Sequence, residues 1–223
     1  MFDGAARPEA AEAMSIALGL CAFHDAVWIA PARPPDWFFE IAPRPRYIQF
    51  PVLDYKQAMT MQARAIGEYI DPTASHMLSL EWDGFPINPQ LWSPDFLEEH
   101  YIGAPWPTIF IPDHAKDEEN SMVGNGGCCL RSWEFIHRLR SAPDHDGNQP
   151  GDCYWCQTPA VREMMGAVGI EYAGLQTAIE FAFENPLPEI PVWSVRQSFG
   201  FHGPHWRADA VRIAKMNLNR IDK

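Results

Sequence analysis

Four of the five cysteines could carry chemistry, because they occur as two close pairs within one stretch of the chain. Cys128 and Cys129 are adjacent and follow a Gly-Gly pair, and Cys153 and Cys156 have C-x-x-C spacing. Zinc takes four nitrogen or sulfur ligands, and a C-x-x-C segment presents two thiolates to one ion. The spacing predicts a zinc site at Cys128, Cys129, Cys153 and Cys156, or disulfides among them. A reduced set of thiols without a ligand is the third interpretation.

Two histidines are alternate ligands for the predicted zinc site. Adjacent cysteines seldom converge on one metal, because neighbouring side chains diverge. His137 or His145 could then replace one of the thiols. Zn²⁺ is the only cofactor that the sequence predicts.

Cysteine-dependent catalysis is a second chemistry that these residues could support. Cys153 and Cys156 lie just before a helix that Thr158-Pro159 is expected to open, and a helix N-terminus lowers a thiol pKa. This arrangement suits a thiol oxidoreductase. His202 and His205, on either side of a Gly-Pro pair, could assist a cysteine nucleophile or face one metal ion. The plain alternative is that they lie in a loop that caps the last helix.

The elements that must position these residues form a mixed pattern. Helical periodicity and capping signals predict helices, and short alternating or apolar runs predict strands. The sequence therefore predicts an α+β fold, or an irregular α/β fold, with several helices around a small sheet. Arg131, Arg138 and Arg140 are expected on the solvated face of a helix predicted at 127–141. The helices are predicted at 8–24, 55–70, 95–100, 127–141, 159–168, 171–184 and 206–221, and the strands at 47–53, 76–82, 108–112 and 191–199.

Proline is abundant, with 21 of 223 residues, and it marks extended segments. Each proline removes a backbone donor and disfavours helix at the residue before it. Segments 31–51 and 86–112 are therefore expected to be extended and irregular, held in place by their tryptophans and other aromatic residues. Length and apolar content favour one compact domain over 1–223, with a soft boundary near 113–124.

The net charge and the N-terminal segment limit the classes to which the protein could belong. The formal net charge is −12, which disfavours binding to nucleic acid because phosphate contacts need clustered cations. No secretory signal or transmembrane segment is predicted, since the N-terminus lacks a basic region and the longest apolar run, 14–23, is about half a bilayer span. We expect a protein that is cytoplasmic at synthesis, or part of an exported particle.

These patterns favour a non-catalytic structural or assembly subunit of a larger complex, such as a virion or phage particle component. Proline and aromatic residues can hold long irregular segments against neighbouring protein subunits, and none of the motifs is complete. Its cysteine cluster would act as a zinc or disulfide staple. Two alternatives remain open: a cysteine-dependent enzyme or thiol oxidoreductase that uses Cys153 and Cys156, and a zinc-stapled protein-binding module.

Overall fold

The computed structural model describes most of the chain, and its fold is mixed α+β, as the sequence predicts. Within the described residues there are seven α-helices and three small sheets of two or three strands. The helices α1 to α7 are Pro8–Leu20, Tyr55–Arg64, Trp133–Leu139, Gly151–Gln157, Pro159–Gly166, Leu175–Phe181 and Arg207–Ile221. The described residues are 1, 7–41, 44–51, 54–111, 113, 122–145, 147–188, 190 and 193–221.

Eight short strands form the three sheets. In the first sheet β1 pairs with β2 in parallel, and in the second the antiparallel order is β3-β6-β5. In the third the order is β4-β8-β7, where β8 is antiparallel to β4 and parallel to β7. The strands β1 to β8 are Val27–Ala30, Arg46–Gln49, His76–Leu80, Gly84–Pro86, Tyr101–Ile102, Cys128–Ser132, Ala182–Phe183 and Gly200–His202.

Aromatic packing between β4 and β8 fixes the part of the fold that carries the site. Phe85 and Phe201 are fully buried opposite each other, with ring centroids 4.7 Å apart in an edge-to-face arrangement. They belong to a hydrophobic cluster that also contains residues of α1 and α7. Such pairs add to the free energy that area burial supplies, so the ends of β4 and β8 are held rigidly together.

The largest correction to the sequence prediction concerns the segment after Gly126-Gly127. A helix was predicted at 127–141, but the chain forms strand β6 first and enters α3 only at Trp133. Every residue of β6 is buried, because the strand pairs with β3 on one side and β5 on the other. Arg131 was expected on a solvated helix face and is instead 1% exposed in this strand.

The strands predicted at 108–112 and 191–199 are wrong over the residues that the structure describes. Thr108–Phe110 forms a 3-10 helix, and Ile109 is 82% exposed, so this apolar run is not a buried strand. Segment 193–199 is irregular, with turns and bends over 195–199. Residues 112, 191 and 192 of these predictions, and most of the boundary predicted near 113–124, lie outside the described residues. None of the described helices combines the length and apolarity that a bilayer-spanning helix requires.

Candidate functional site

The connection between β3 and β4 brings two carboxylates together. Glu81 and Gly84 pair across a tight turn, in which Glu81 N–H donates to the Gly84 carbonyl at 3.0 Å and the reverse bond is 3.2 Å. Trp82 and Asp83 occupy the two central positions. Because the turn is this short, Glu81 and Asp83 stay close to each other at one end of the third sheet.

The end of strand β8 adds a histidine to the same place. His202 is the register partner of Gly84, directly beside the turn. Its Nε2 lies 3.8 Å from Oε2 of Glu81 and 3.8 Å from Oδ1 of Asp83. One potential ligand atom from each of the three residues lies within 4.8 Å of the other two, and within the described part of the chain this is the one such group of three.

The spacing of these three atoms suits a divalent cation. Ligand atoms at about 2.1 Å from an ion stand about 3.0–3.4 Å apart in tetrahedral or octahedral geometry. The observed distances of 3.8 Å are slightly longer. The Glu81 side chain is 47% exposed, so its rotation can bring its carboxylate closer to Nε2 of His202 without disturbing the core.

A fourth side chain, Glu184, orients the histidine. Its Oε1 lies 3.2 Å from Nδ1 of His202, and Glu184 directly follows strand β7. A carboxylate on Nδ1 holds the proton there, which leaves Nε2 as the ligand atom, as in many metal sites. Burial works to lower the pKa of His202, but hydrogen bonds and the charges of Glu184 and Glu81 raise it to about 10. The imidazole therefore carries a proton that a cation would displace.

Asp83 has an unsatisfied oxygen in this cluster. The residue is 5% exposed, and its Oδ1 accepts no hydrogen bond. Burial raises the pKa of Asp83, with the charge of His202 acting against it. For Glu81, burial also works to raise the pKa, but His202 and Arg131 outweigh it and the pKa is lowered. A buried carboxylate oxygen without a partner is costly unless a ligand supplies the missing interaction.

The loop before β6 passes so close to the histidine that only glycine fits. A Cβ atom built on Gly127 would lie 2.0 Å from Cδ2 and 2.2 Å from Nε2 of His202. The loop is held in this position by its own hydrogen bonds: Gly127 N–H donates to Oδ1 of Asn125, and Gly126 N–H donates to Oδ2 of Asp152. The imidazole is thus confined between the loop and Glu184.

A cavity of about 250 Å³ opens beside Glu81 and His202, two of the three potential ligands. Asp152, in the first turn of α4, reaches it with both carboxylate oxygens fixed by backbone N–H groups of Gly126 and Cys153. Burial raises the pKa of Asp152, which the bond from Gly126 partly offsets. The residues that matter for its chemistry are Glu81, Gly127, Arg131, Asp152, Trp155 and His202.

The cysteines are not part of the carboxylate–histidine cluster, although Cys129 and Cys153 contact residues that line the cavity. Cys128 and Cys129 face opposite sides of β6: Cys128 packs with Phe181 and Phe199, whereas Cys129 packs in the cluster that contains Cys156. All five cysteines are described and are free thiols. The structure therefore does not bring the four predicted ligands together. Zinc binding by these cysteines stays a prediction from the sequence.

Burial governs the thiols themselves. It raises the pKa of Cys153 to about 12, with the charge of Asp152 adding to the effect, and it also raises the pKa of Cys156 well above that of an ordinary thiol. The thiolate is the nucleophile and the metal ligand. These thiols consequently stay protonated at neutral pH and behave as small apolar side chains.

The predicted histidines are dispersed. His202 joins the carboxylate cluster, while His205 lies exposed after it. His137 is exposed on α3 and stacks on Trp133. His145 is buried against Tyr154, and its Nδ1 accepts from Gly147 N–H.

Sequence reasoning missed four residues of this site: Glu81, Asp83, Asp152 and Glu184. The only local signal was a pair of acids spaced by one residue before a glycine, at the end of a predicted strand. Glu184 carries no local signal, because it reaches His202 only through the parallel pairing of β7 with β8.

A family match covers this region. The family described as "Protein of unknown function (DUF5672)" matches residues 54–202, which is more than half of the chain. The chain belongs to this family. Every residue of the carboxylate–histidine cluster lies within the matched segment. Among curated proteins, none matches the chain.

Gly127→Ala should destabilise the protein by about 1–3 kcal/mol, because the added Cβ would overlap the His202 ring in a packed region. The matched control is Gly166→Ala, where a Cβ meets nothing within 4 Å. Urea unfolding measures both variants. Equal midpoints for the two would contradict the close contact between the loop and His202.

Iodoacetamide should modify Cys153 at pH 7 at least about 100-fold more slowly than a model peptide thiol, because a pKa of about 12 leaves roughly one thiolate in 100,000. Mass spectrometry of tryptic peptides follows the reaction, and the urea-unfolded chain is the control. A native cysteine that reacts faster than the model thiol would favour the cysteine-dependent enzyme instead.

Proposed function

We propose that this protein is a divalent-cation-dependent enzyme, with Glu81, Asp83 and His202 as the ligands of the cation. The observation that carries the proposal is the convergence of these three side chains beside a cavity, with one buried Asp83 oxygen left without a hydrogen bond. Carboxylate and imidazole groups are common metal ligands, and a histidine ligand often donates its other ring N–H to a carboxylate. Glu184 lies in that position, with Oε1 near Nδ1 of His202.

The ligand set favours a transition metal of intermediate hardness. Two carboxylates and one imidazole suit Mn²⁺ or Zn²⁺ better than Ca²⁺, which prefers an all-oxygen set. Three protein ligands leave coordination positions open, as catalytic sites require. A bound cation of this kind would act as a Lewis acid that polarises a substrate oxygen in the cavity.

Asp152 is the candidate general base of the site. Its carboxylate lines the same cavity as Glu81 and His202, and two backbone N–H groups hold it in one orientation. Burial raises its pKa, which makes the carboxylate a stronger base. We infer that Asp152 accepts a proton from the group that attacks the substrate.

Mn²⁺ should bind the purified protein at one site, which electron paramagnetic resonance detects as loss of the free-ion signal. Asp83→Asn removes a ligand charge without changing shape and should weaken binding by at least about 100-fold. Glu184→Gln, which loses the carboxylate on Nδ1, should weaken it about 10- to 100-fold.

The matched control is Asp209→Asn, an exposed acid that pairs with Arg212 on α7. It should bind Mn²⁺ as the wild type does. Full Mn²⁺ affinity in Asp83→Asn would remove the basis of this proposal.

An assembly subunit of a larger complex stays a second candidate. Ile109 and Phe110 are exposed in a short 3-10 helix, at 82% and 62%, and adjacent exposed apolar side chains are common at protein–protein contacts.

Light scattering distinguishes this role. If Ile109 and Phe110 mediate self-assembly, the wild type should be oligomeric, and Ile109→Ser with Phe110→Ser should reduce the mass to that of one chain. A monomeric wild type would exclude self-assembly through these residues.

A further inference from the structure

A buried cation, Arg131, forms one wall of the cavity without an ionic partner. The residue is 1% exposed in β6, and no carboxylate among the described residues forms an ion pair with it. Its Nε donates to Sγ of Cys129 at 3.2 Å, and its guanidinium lies 4.6 Å from the ring centroid of Trp155. Neither a thiol nor an aromatic face neutralises a buried charge fully, so the cost of burying Arg131 stays partly uncompensated.

Two buried N–H donors of this wall have no acceptor. One is Nη1 of Arg131 and the other is Nε1 of Trp155, which is 2% exposed. Both side chains line the cavity. Unsatisfied buried donors are rare in folded proteins, and two of them beside one cavity indicate a ligand that accepts hydrogen bonds.

The charge of Arg131 specifies the kind of acceptor. Arginine is suited to bidentate binding of phosphate or carboxylate groups, because its donors form a rigid planar fork. Glu81 and Asp152 line the same cavity and would repel an anion on their own. A divalent cation on Glu81, Asp83 and His202 offsets that repulsion, so an anionic ligand should need the cation to bind well.

We propose that the cavity binds a phosphate ester, whose phosphate accepts hydrogen bonds from Arg131 and Trp155 on one side and approaches the cation on the other. This inference names the substrate class of the proposed enzyme, and its metal-dependent part rests on that proposed function. Phosphate fits better than a carboxylate, because its three free oxygens can serve two donors and a cation at once.

The test uses inorganic phosphate as the probe and the full chain. Calorimetric titration with Mn²⁺ present should show phosphate binding that weakens about 10- to 100-fold in Arg131→Met. Methionine keeps an unbranched chain of similar length and removes the charge. Broadening of the ³¹P resonance by protein-bound Mn²⁺ should confirm that the phosphate lies near the cation.

Arg162→Lys is the matched control, since Arg162 also stacks on an aromatic ring, 4.5 Å from the centroid of Tyr172, but does not line the cavity. It should leave phosphate binding unchanged. Arg131→Met should fold, with a melting temperature equal to or above that of the wild type, because it removes a buried unpaired charge. Its Mn²⁺ affinity should be equal to or above that of the wild type, because the substitution removes a positive charge that acts on Glu81.

The outcomes separate this inference from the proposed function. Equal phosphate affinity in Arg131→Met and the wild type, absence of phosphate binding, or equally tight binding of acetate would overturn the phosphate site. If the wild type bound no Mn²⁺ but retained phosphate binding that depends on Arg131, the result would support the phosphate site and contradict the metal-dependent function.

Discussion

The close approach between the Gly127 backbone and the ring of His202 is the constraint on which the site depends. A glycine is required there, because any Cβ would overlap the imidazole. The same loop orients Asp152 through the N–H group of Gly126. It is also the point at which β6 begins, so the strand that carries Arg131 starts from a position set by this contact. This loop thereby helps to set the positions of His202, Asp152 and Arg131 around one cavity.

The electrostatics of the cavity are costly for a protein that binds nothing. A protonated His202 lies among Glu81, Asp83 and Glu184, and the guanidinium of Arg131 is buried with no carboxylate of the described residues in an ion pair with it. Folding must offset this cost with packing elsewhere, such as the buried Phe85–Phe201 pair beneath the turn. Proteins commonly concentrate such unfavourable groups where a ligand completes them. A cation and a phosphate would together supply what these groups lack.

The sequence predicted the mixed α+β class and the long terminal helices, because helical periodicity and capping residues act locally. It failed where tertiary pairing overrides local preference. The segment at 127–141 has helix-forming residues, yet its first part is a strand held between β3 and β5. Zinc binding by the two cysteine pairs stays a prediction from their spacing along the chain. In the fold, strand alternation sends Cys128 and Cys129 to opposite faces.

Residue types alone were sufficient to establish a net negative charge and enough apolar residues for a substantial core. They also marked His202 as a candidate ligand or catalytic residue, since His202 and His205 lie three residues apart around a Gly-Pro pair. Only the tertiary structure could select its partners. Glu81 and Asp83 are about 120 residues away along the chain, and Glu184 arrives through a parallel strand pairing. Local sequence patterns do not predict such distant contacts, because the pairing of strands depends on the packing of the whole core.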